Sequence, residues 1–296
     1  MQRTNTVAGP ESANLRNTRA QIVNPAVFCC ARVLWRLGSS ALALILACAP
    51  AAAQIGSSEA NSCDGISSDR AYHCEVRQDT LAGGNPLRVD ASPNGGIRVQ
   101  GWDRNEVAIR SRVVAYAESE QEARRLASQV RIETAGGEIS ARGPDRDGDS
   151  YFVVSFELNV PQQATVTMKT VNGGISVRDL RGTVNFDAVN GGVRLENVGG
   201  EIRGETNNGG LTIDLTGDRW DGTGLDVETH NGGVRLNLPA NYSAELETGT
   251  TNGRLNVDFP ITVQGTIGKR LHTTLGAGGP KIRAMTYNGG VSIRQQ

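Results

Sequence analysis

The sequence predicts a mainly β protein: a β-solenoid, or single-stranded β-helix, of short strands with Asn-Gly-Gly turns, plus one short α-helix near the N-terminal end. Three observations carry this. Apolar and polar residues alternate with period two through most of the chain, the mark of half-buried strands. Asn-Gly recurs at Asn94, Asn172, Asn190, Asn208, Asn231, Asn252 and Asn288. Glycine supplies 37 of 296 residues and aromatics only 4%. The core must therefore be built from Val, Ile and Leu rather than from large rings.

Residues 1–53 read as a signal region to be removed. Arg32 and Arg36 precede a short apolar run from Ala41 to Ala49, and Ala51-Ala52-Ala53 offers small residues at the cut. The run is well short of the ~20 residues that span a bilayer. Residues 1–32 are polar and unpatterned, and a start near Val33 would exclude them. Cys48 in "ILAC" offers a lipoprotein alternative. Removing residues 1–53 takes away five arginines and Glu11 and leaves 25 basic and 30 acidic groups. A net charge of −5 lacks the basic stripe that nucleic-acid binding requires.

Residues 54–84 read as an N-terminal segment holding a disulfide loop. Cys63 and Cys74 are the pair left after removal of the signal, and an even pair in an oxidising compartment favours a bridge. The competing reading, a metal site with His73, lacks a fourth ligand nearby.

The domain proper is expected over 85–296, with strands and a capping helix in 85–160 and repeats in 161–296. Leu87/Val89, Ile97/Val99, Val107/Ile109 and Val113 mark the first strands, with Pro93-Asn94-Gly95-Gly96 as a turn. In "ESEQEARRLASQV", Ser119 and Glu122 form a capping box, and Ala123, Leu126, Ala127 and Val130 share one helical face. Strands near 130–134, 138–142 and 151–159 follow. After Pro161 the unit is strand, turn, strand, turn. Ile175/Val177, Val184/Phe186, Val193/Leu195, Leu211/Ile213, Val234/Leu236, Leu255/Val257 and Val291/Ile293 are expected to point inward.

The Asn-Gly-Gly turns are read as corners, because Gly accepts positive φ and Asn tolerates the left-handed region. A meander of hairpins is the alternative architecture. A period near 20 residues favours stacked coils, each covering its neighbours.

The segments "NGGIRVQGWDRNEVAIRSRV", "SEQEARRLA", "FELNVPQQATVTMKTVNGGISVRDLRG" and the later "NGGV" and "NGGL" turns together resemble a bacterial adhesin-like family of unknown function, the DUF4097 domain. The resemblance covers roughly residues 85–296. It implies an exported or envelope-associated β-helical protein, and it brings no catalytic residues with it.

Candidate chemistry is sparse. Asp145, Asp147 and Asp149 alternate in "GPDRDGDSY", but Gly148 and Phe156 break the EF-hand pattern, so an acidic hairpin tip is expected. Trp102 is expected to pack a corner. Trp220, in the longer "GDRWDGTG" loop, is the better candidate for an exposed ligand contact. His73, His230 and His272 lack metal-ligand spacing, and no nucleophile elbow is present. No metal, cofactor or catalytic residue is assigned. The expected function is an exported, non-enzymatic envelope scaffold, periplasmic or at the cell surface, binding an unknown glycan, lipid surface or protein. A stress-sensing protein acting through a partner and a polysaccharide-active β-helix enzyme are the alternatives. The chain ends in "NGGVSIRQQ", on a strand of the repeat, so attachment is expected through the N-terminal lipid option or a partner.

Overall fold

Period-two alternation becomes strand wherever one side chain in two can be buried. The structure, a computed structural model, describes residues 63–66, 68–258 and 268–296. The signal region, Cys48 and residues 54–62 lie outside them. The strands are β1 (Ala71–Ala82), β2 (Leu87–Asp90), β3 (Ile97–Trp102), β4 (Glu106–Ala117), β5 (Arg131–Glu133), β6 (Glu138–Arg142) and β7 (Tyr151–Pro161). There follow β8 (Thr165–Asn172), β9 (Ile175–Arg178), β10 (Thr183–Asn190), β11 (Val193–Glu196), β12 (Glu201–Asn208) and β13 (Leu211–Asp214). The remainder are β14 (Gly224–Asn231), β15 (Val234–Leu238), β16 (Ala244–Asn252), β17 (Leu255–Asp258), β18 (Arg270–Leu275), β19 (Lys281–Asn288) and β20 (Val291–Gln295). The one α-helix among the described residues, α1, spans Glu120–Gln129.

The strands form two ten-stranded mixed sheets, and neither closes on itself among the described residues. The first runs β1-β4-β7-β3-β9-β11-β13-β15-β20-β17, the second β18-β16-β19-β14-β12-β10-β8-β2-β6-β5. Each Asn-Gly-Gly carries the chain from a strand of the second sheet to one of the first. Equivalent strands pair in parallel without offset, as in Val166, Val184 and Ile202 in the second sheet and Ile175, Val193 and Leu211 in the first. No hairpin forms at these corners. The inward residues are buried between the sheets, except that Leu255 and Val257 on the edge strand β17 are only half-buried.

Packing between units is complementary in size. Met168, Phe186, Gly204 and Val227 lie in one register row. A Cβ at Gly204 would lie 2.5 Å from the Phe186 ring, so the missing side chain makes room for the ring.

The corner glycines have a different cause from the one read in the sequence. None of them has positive φ. Instead, a Cβ at Gly173, Gly191, Gly209 or Gly289 would lie 1.9–2.0 Å from the carbonyl oxygen of the first glycine in the adjoining corner. The corners stack too closely for any side chain. At the second glycine the gap is wider, 3.2–3.4 Å at Gly174, Gly192, Gly210 and Gly233. The corner at Asn252 has Arg254 there. Left-handed backbone without glycine occurs at the opposite turns, at Asp179 (φ 53°) and Asn197 (φ 49°).

Spatial order departs from sequence order. β19 and β20 lie between β14/β15 and β16/β17, so the corner at Asn288 sits between those at Asn231 and Asn252. β18 returns antiparallel along β16, and a five-residue connection, 276–280, then brings β19 in on the other side of β16.

At the N-terminal end, β1 pairs with β4 over twelve residues. It extends the first sheet into residues read from the sequence as a separate segment. "AYHCEVRQDTLA" alternates only over Tyr72, Cys74 and Val76 and turns polar from Arg77 to Thr80, a weak mark for a twelve-residue strand. Helix α1 contributes Ala123 and Ala127 to the core, joined by Val130 just beyond it. Ser119 Oγ accepts from the Glu122 N–H at 3.3 Å. The Glu122 carboxylate faces Arg125 at 3.9 Å, so one half of the capping box is made. The last turn has no basic residue of its own. Arg77 of β1 supplies one, donating to the carbonyls of Ala127 and Val130.

Two outcomes are expected. Gly191→Ala should destabilise the protein by roughly 3 kcal/mol and Gly192→Ala by under about 1 kcal/mol in denaturant titrations. Equal costs would contradict the stacked-corner explanation. Ending the chain at Pro280 removes two interior strands, so amide exchange in β17, which pairs with β20, should accelerate to that of unfolded chain. Retained protection there would mean that β17 pairs directly with β15.

Candidate functional surface

Stacking the corners brings the seven asparagines into one file. Asn172 Nδ2 donates to Asn94 Oδ1, and the pattern continues Asn190 to Asn172, Asn208 to Asn190, Asn231 to Asn208, Asn288 to Asn231 and Asn252 to Asn288. Every bond is 2.9 Å. Beneath the file runs a buried one. The hydroxyls of Thr170, Thr206, Thr229 and Thr286 donate to the carbonyls of Gly95, Gly191, Gly209 and Gly232 at 2.7–2.8 Å. These bonds tie each corner to its neighbour, although Thr250, which stands beside Thr286 in the buried file, makes none.

Other sequence candidates are dispersed. Cys63 and Cys74 form a disulfide, with Cα atoms 5.8 Å apart. Trp220, read as an exposed contact, is only 3% exposed. Its indole N–H donates to the Gly200 carbonyl at 3.0 Å, and the ring closes the far end of the core with Tyr242. The glycine-rich loop thus wraps an anchor instead of presenting a platform. Trp102 is half-buried, bonded through Nε1 to the Glu106 carbonyl at 2.9 Å, with Arg104 4.7 Å over its ring. Asp145, Asp147 and Asp149 are exposed at a hairpin tip, where Asp149 pairs with Arg70 at 3.0 Å. His73 faces Glu75 at 3.7 Å, His230 stacks on Tyr287, and His272 lies opposite Glu247 on β18. Among the described residues, no group of three or more His, Cys, Asp or Glu is placed to hold a metal.

The outward face of the first sheet holds features that sequence reasoning missed. Its register fixes a file Arg98, Ser176, Arg194, Thr212, Arg235, Ser292 across six consecutive strands. The arginines are exposed and the hydroxyl residues half-buried. Strands lie about 4.8 Å apart, so the arginines recur at about 9.6 Å. Arg110 continues the file beyond Glu157, which pairs with Arg98 at 3.1 Å and Arg110 at 3.8 Å. Arg194 meets Asp214 at 2.7 Å, and Arg178 meets Glu196 at 2.7 Å. Among the described residues neither Arg235 nor Arg294 has a carboxylate partner. On the same face, Tyr72, Tyr116 and Tyr151 stand in register on β1, β4 and β7. Tyr116 stacks on Tyr151 at 4.9 Å and meets Tyr72 at 6.3 Å.

The second sheet's outward face is patterned differently. Arg203, Asp226, Arg283 and Glu247 alternate in sign along one file, and Arg283 is bound to Asp226 and Glu228. Asp187, Glu205 and Glu228 line the next file. The two faces therefore differ in sign balance. The arginine file has a sequence trace: the residue two after the second glycine reads Arg, Ser, Arg, Thr, Arg, Ser at the stacked corners. Only the spatial order puts Ser292 next to Arg235, since in sequence the Asn252 corner intervenes.

Charge pairs hold two carboxyls low. The hydrogen-bonded Arg178 guanidinium keeps Glu196 below the usual carboxylate range, and Lys281 does the same for Glu247. Burial pushes the phenols of Tyr116 and Tyr242 up. All four shifts move groups away from neutrality.

No protein-family model matches the chain, and no curated protein matches it. Similar solved structures include a "putative cell adhesion protein" from Clostridium sporogenes, at 10% identity over 75% of this chain and 100% of that one, with TM-score 0.40. Others are a "putative adhesin" from Bacteroides fragilis (10% identity, 75% and 97% covered, TM-score 0.32) and a "putative lipid binding protein" from Parabacteroides distasonis (11% identity, 74% and 96% covered, TM-score 0.32).

The lowered Glu196 and Glu247 contribute stability above the ordinary carboxylate range, and that stability is lost as pH falls through their depressed values. The melting midpoint should therefore decline below about pH 4. Glu196→Gln should melt lower at neutral pH and lose less on acidification. An identical pH profile in the two proteins would contradict this assignment.

Proposed function

We propose that this is an exported, non-enzymatic protein of the cell envelope, an adhesin-like binding scaffold whose units wind as a β-solenoid of the DUF4097 type. The observation that carries this reading is the fixed register of the outward files. Six 2.9 Å asparagine bonds and the stacked corners hold successive strands in step. Identical positions then present side chains at a constant spacing on one face. Such a surface suits several weak contacts to one extended partner, where small affinities combine.

Further facts support it. The chemically assertive side chains are spread over faces instead of converging, and the shifted carboxyls and phenols titrate away from the range that acid–base catalysis uses. The disulfide fits an oxidising compartment. Among the described residues, no helix is long and apolar enough to cross a membrane. Trp220, buried at the end of the core, plays an anchoring part under this reading, and the contact surface moves to the first sheet.

Co-sedimentation of the purified protein with peptidoglycan sacculi, outer-membrane vesicles and whole cells tests this. Saturable binding to one fraction is expected. Absence of binding to all three would overturn the scaffold reading and favour a soluble protein partner.

A further inference from the structure

We infer that the arginine file on the first sheet is a binding track for a linear acidic polysaccharide. The inference rests on the scaffold reading and names its ligand class. Arg98, Arg194 and Arg235 occupy every second strand, with Ser176, Thr212 and Ser292 between and beyond them. Simple relief of like-charge repulsion between strands would be met by opposite charges on intervening strands, as in the Arg203, Asp226, Arg283, Glu247 file of the other sheet. Here the intervening positions are small hydroxyls. They leave shallow room between guanidinium groups and offer hydrogen bonds to neutral hydroxyls of a ligand. The chain without residues 1–53 is acidic overall, so a stretch from Arg98 to Ser292 whose charged members are all arginines is not a by-product of composition.

The geometry selects among anions. Guanidinium forks pair with carboxylates through two parallel bonds. Their recurrence at about 9.6 Å along a line perpendicular to the strands matches a polymer whose carboxylates recur along its length. A lipid surface would ask for a broad basic area with apolar insertion. The one large hydrophobic residue that is well exposed among the described residues, Tyr287 at 50%, stands on the second sheet. Arg235 has no carboxylate partner among the described residues and is free to engage a ligand without breaking an ion pair. Arg194 is held by Asp214, whose side chain is only 14% exposed, and by the more exposed Glu196, so it would engage a ligand with the donors those contacts leave free.

The test uses polygalacturonate as probe, neutral dextran as control, and phosphatidylglycerol vesicles as the competing anionic surface. The full protein should bind polygalacturonate, not dextran, with an affinity that falls as salt rises. Arg98→Gln/Arg194→Gln/Arg235→Gln should weaken binding by about tenfold or more. Arg235→Gln alone, which breaks no ion pair, should weaken it measurably with an unchanged melting midpoint. Arg203→Gln/Arg283→Gln on the other sheet should leave affinity within about twofold. Equal binding by the wild type and the triple variant overturns the track, as does equal binding to vesicles. Should an envelope fraction sediment both proteins equally, the scaffold reading stands and the track falls. If neither polygalacturonate nor any fraction is bound, both fall.

Discussion

Each Asn-Gly-Gly corner rests on the carbonyl oxygen of the corner beside it, and the rest of the architecture depends on that contact. A Cβ at Gly191 would lie 1.9 Å from the Gly173 oxygen, well inside any permitted approach. Glycine is therefore required by proximity. The same closeness places the asparagine amides within 2.9 Å of one another and lets threonine hydroxyls reach the glycine carbonyls. A single one of these bonds contributes on the order of 1 kcal/mol net. Their larger effect is on register. Slipping by one residue would turn every inward aliphatic side chain outward and break the file at once.

Register fixed in this way makes the faces predictable. What stands at one position in one strand stands about 4.8 Å from its equivalent in the next. The second sheet uses this to alternate charge, and the first to space arginines with hydroxyls between. The asparagine file is tied along its length by its own bonds and serves the scaffold. The arginine file is only partly paired and is the face available for recognition. Insertion of β19 and β20 between older neighbours completes that file, because it places Ser292 after Arg235.

Much of the fold was legible. Alternation gave the inward aliphatics, and the capping pattern gave α1. The mainly β class followed from alternation and glycine content. Three things were hidden, each for a physical reason. The role of the corner glycines was misassigned, because a residue without a side chain answers equally to positive φ and to crowding, and only distances separate the two. β1 was missed because its alternation stops after Val76, and the face that packs toward α1 carries His73, Glu75 and Arg77. The order of the last units was unreadable because sequence spacing says nothing about which edge a returning strand enters. Trp220 was misjudged on loop composition: "GDRWDGTG" reads as exposed, yet the ring turns in to close the core. The arginine file was present in the letters after each corner, but its continuity exists only in the spatial order.

The most direct measurement is hydrogen exchange of the asparagine side-chain amides, followed by NMR in the native protein. In the ladder, Asn172, Asn190, Asn208, Asn231, Asn288 and Asn252 each donate from Nδ2, whereas Asn94 only accepts. In each of the six, the bonded Nδ2 proton should exchange slowly, whereas both side-chain protons of Asn94 should exchange freely. Free exchange at all seven would show that the corners do not stack as described, and the account of register, of glycine and of the outward files would fail with them.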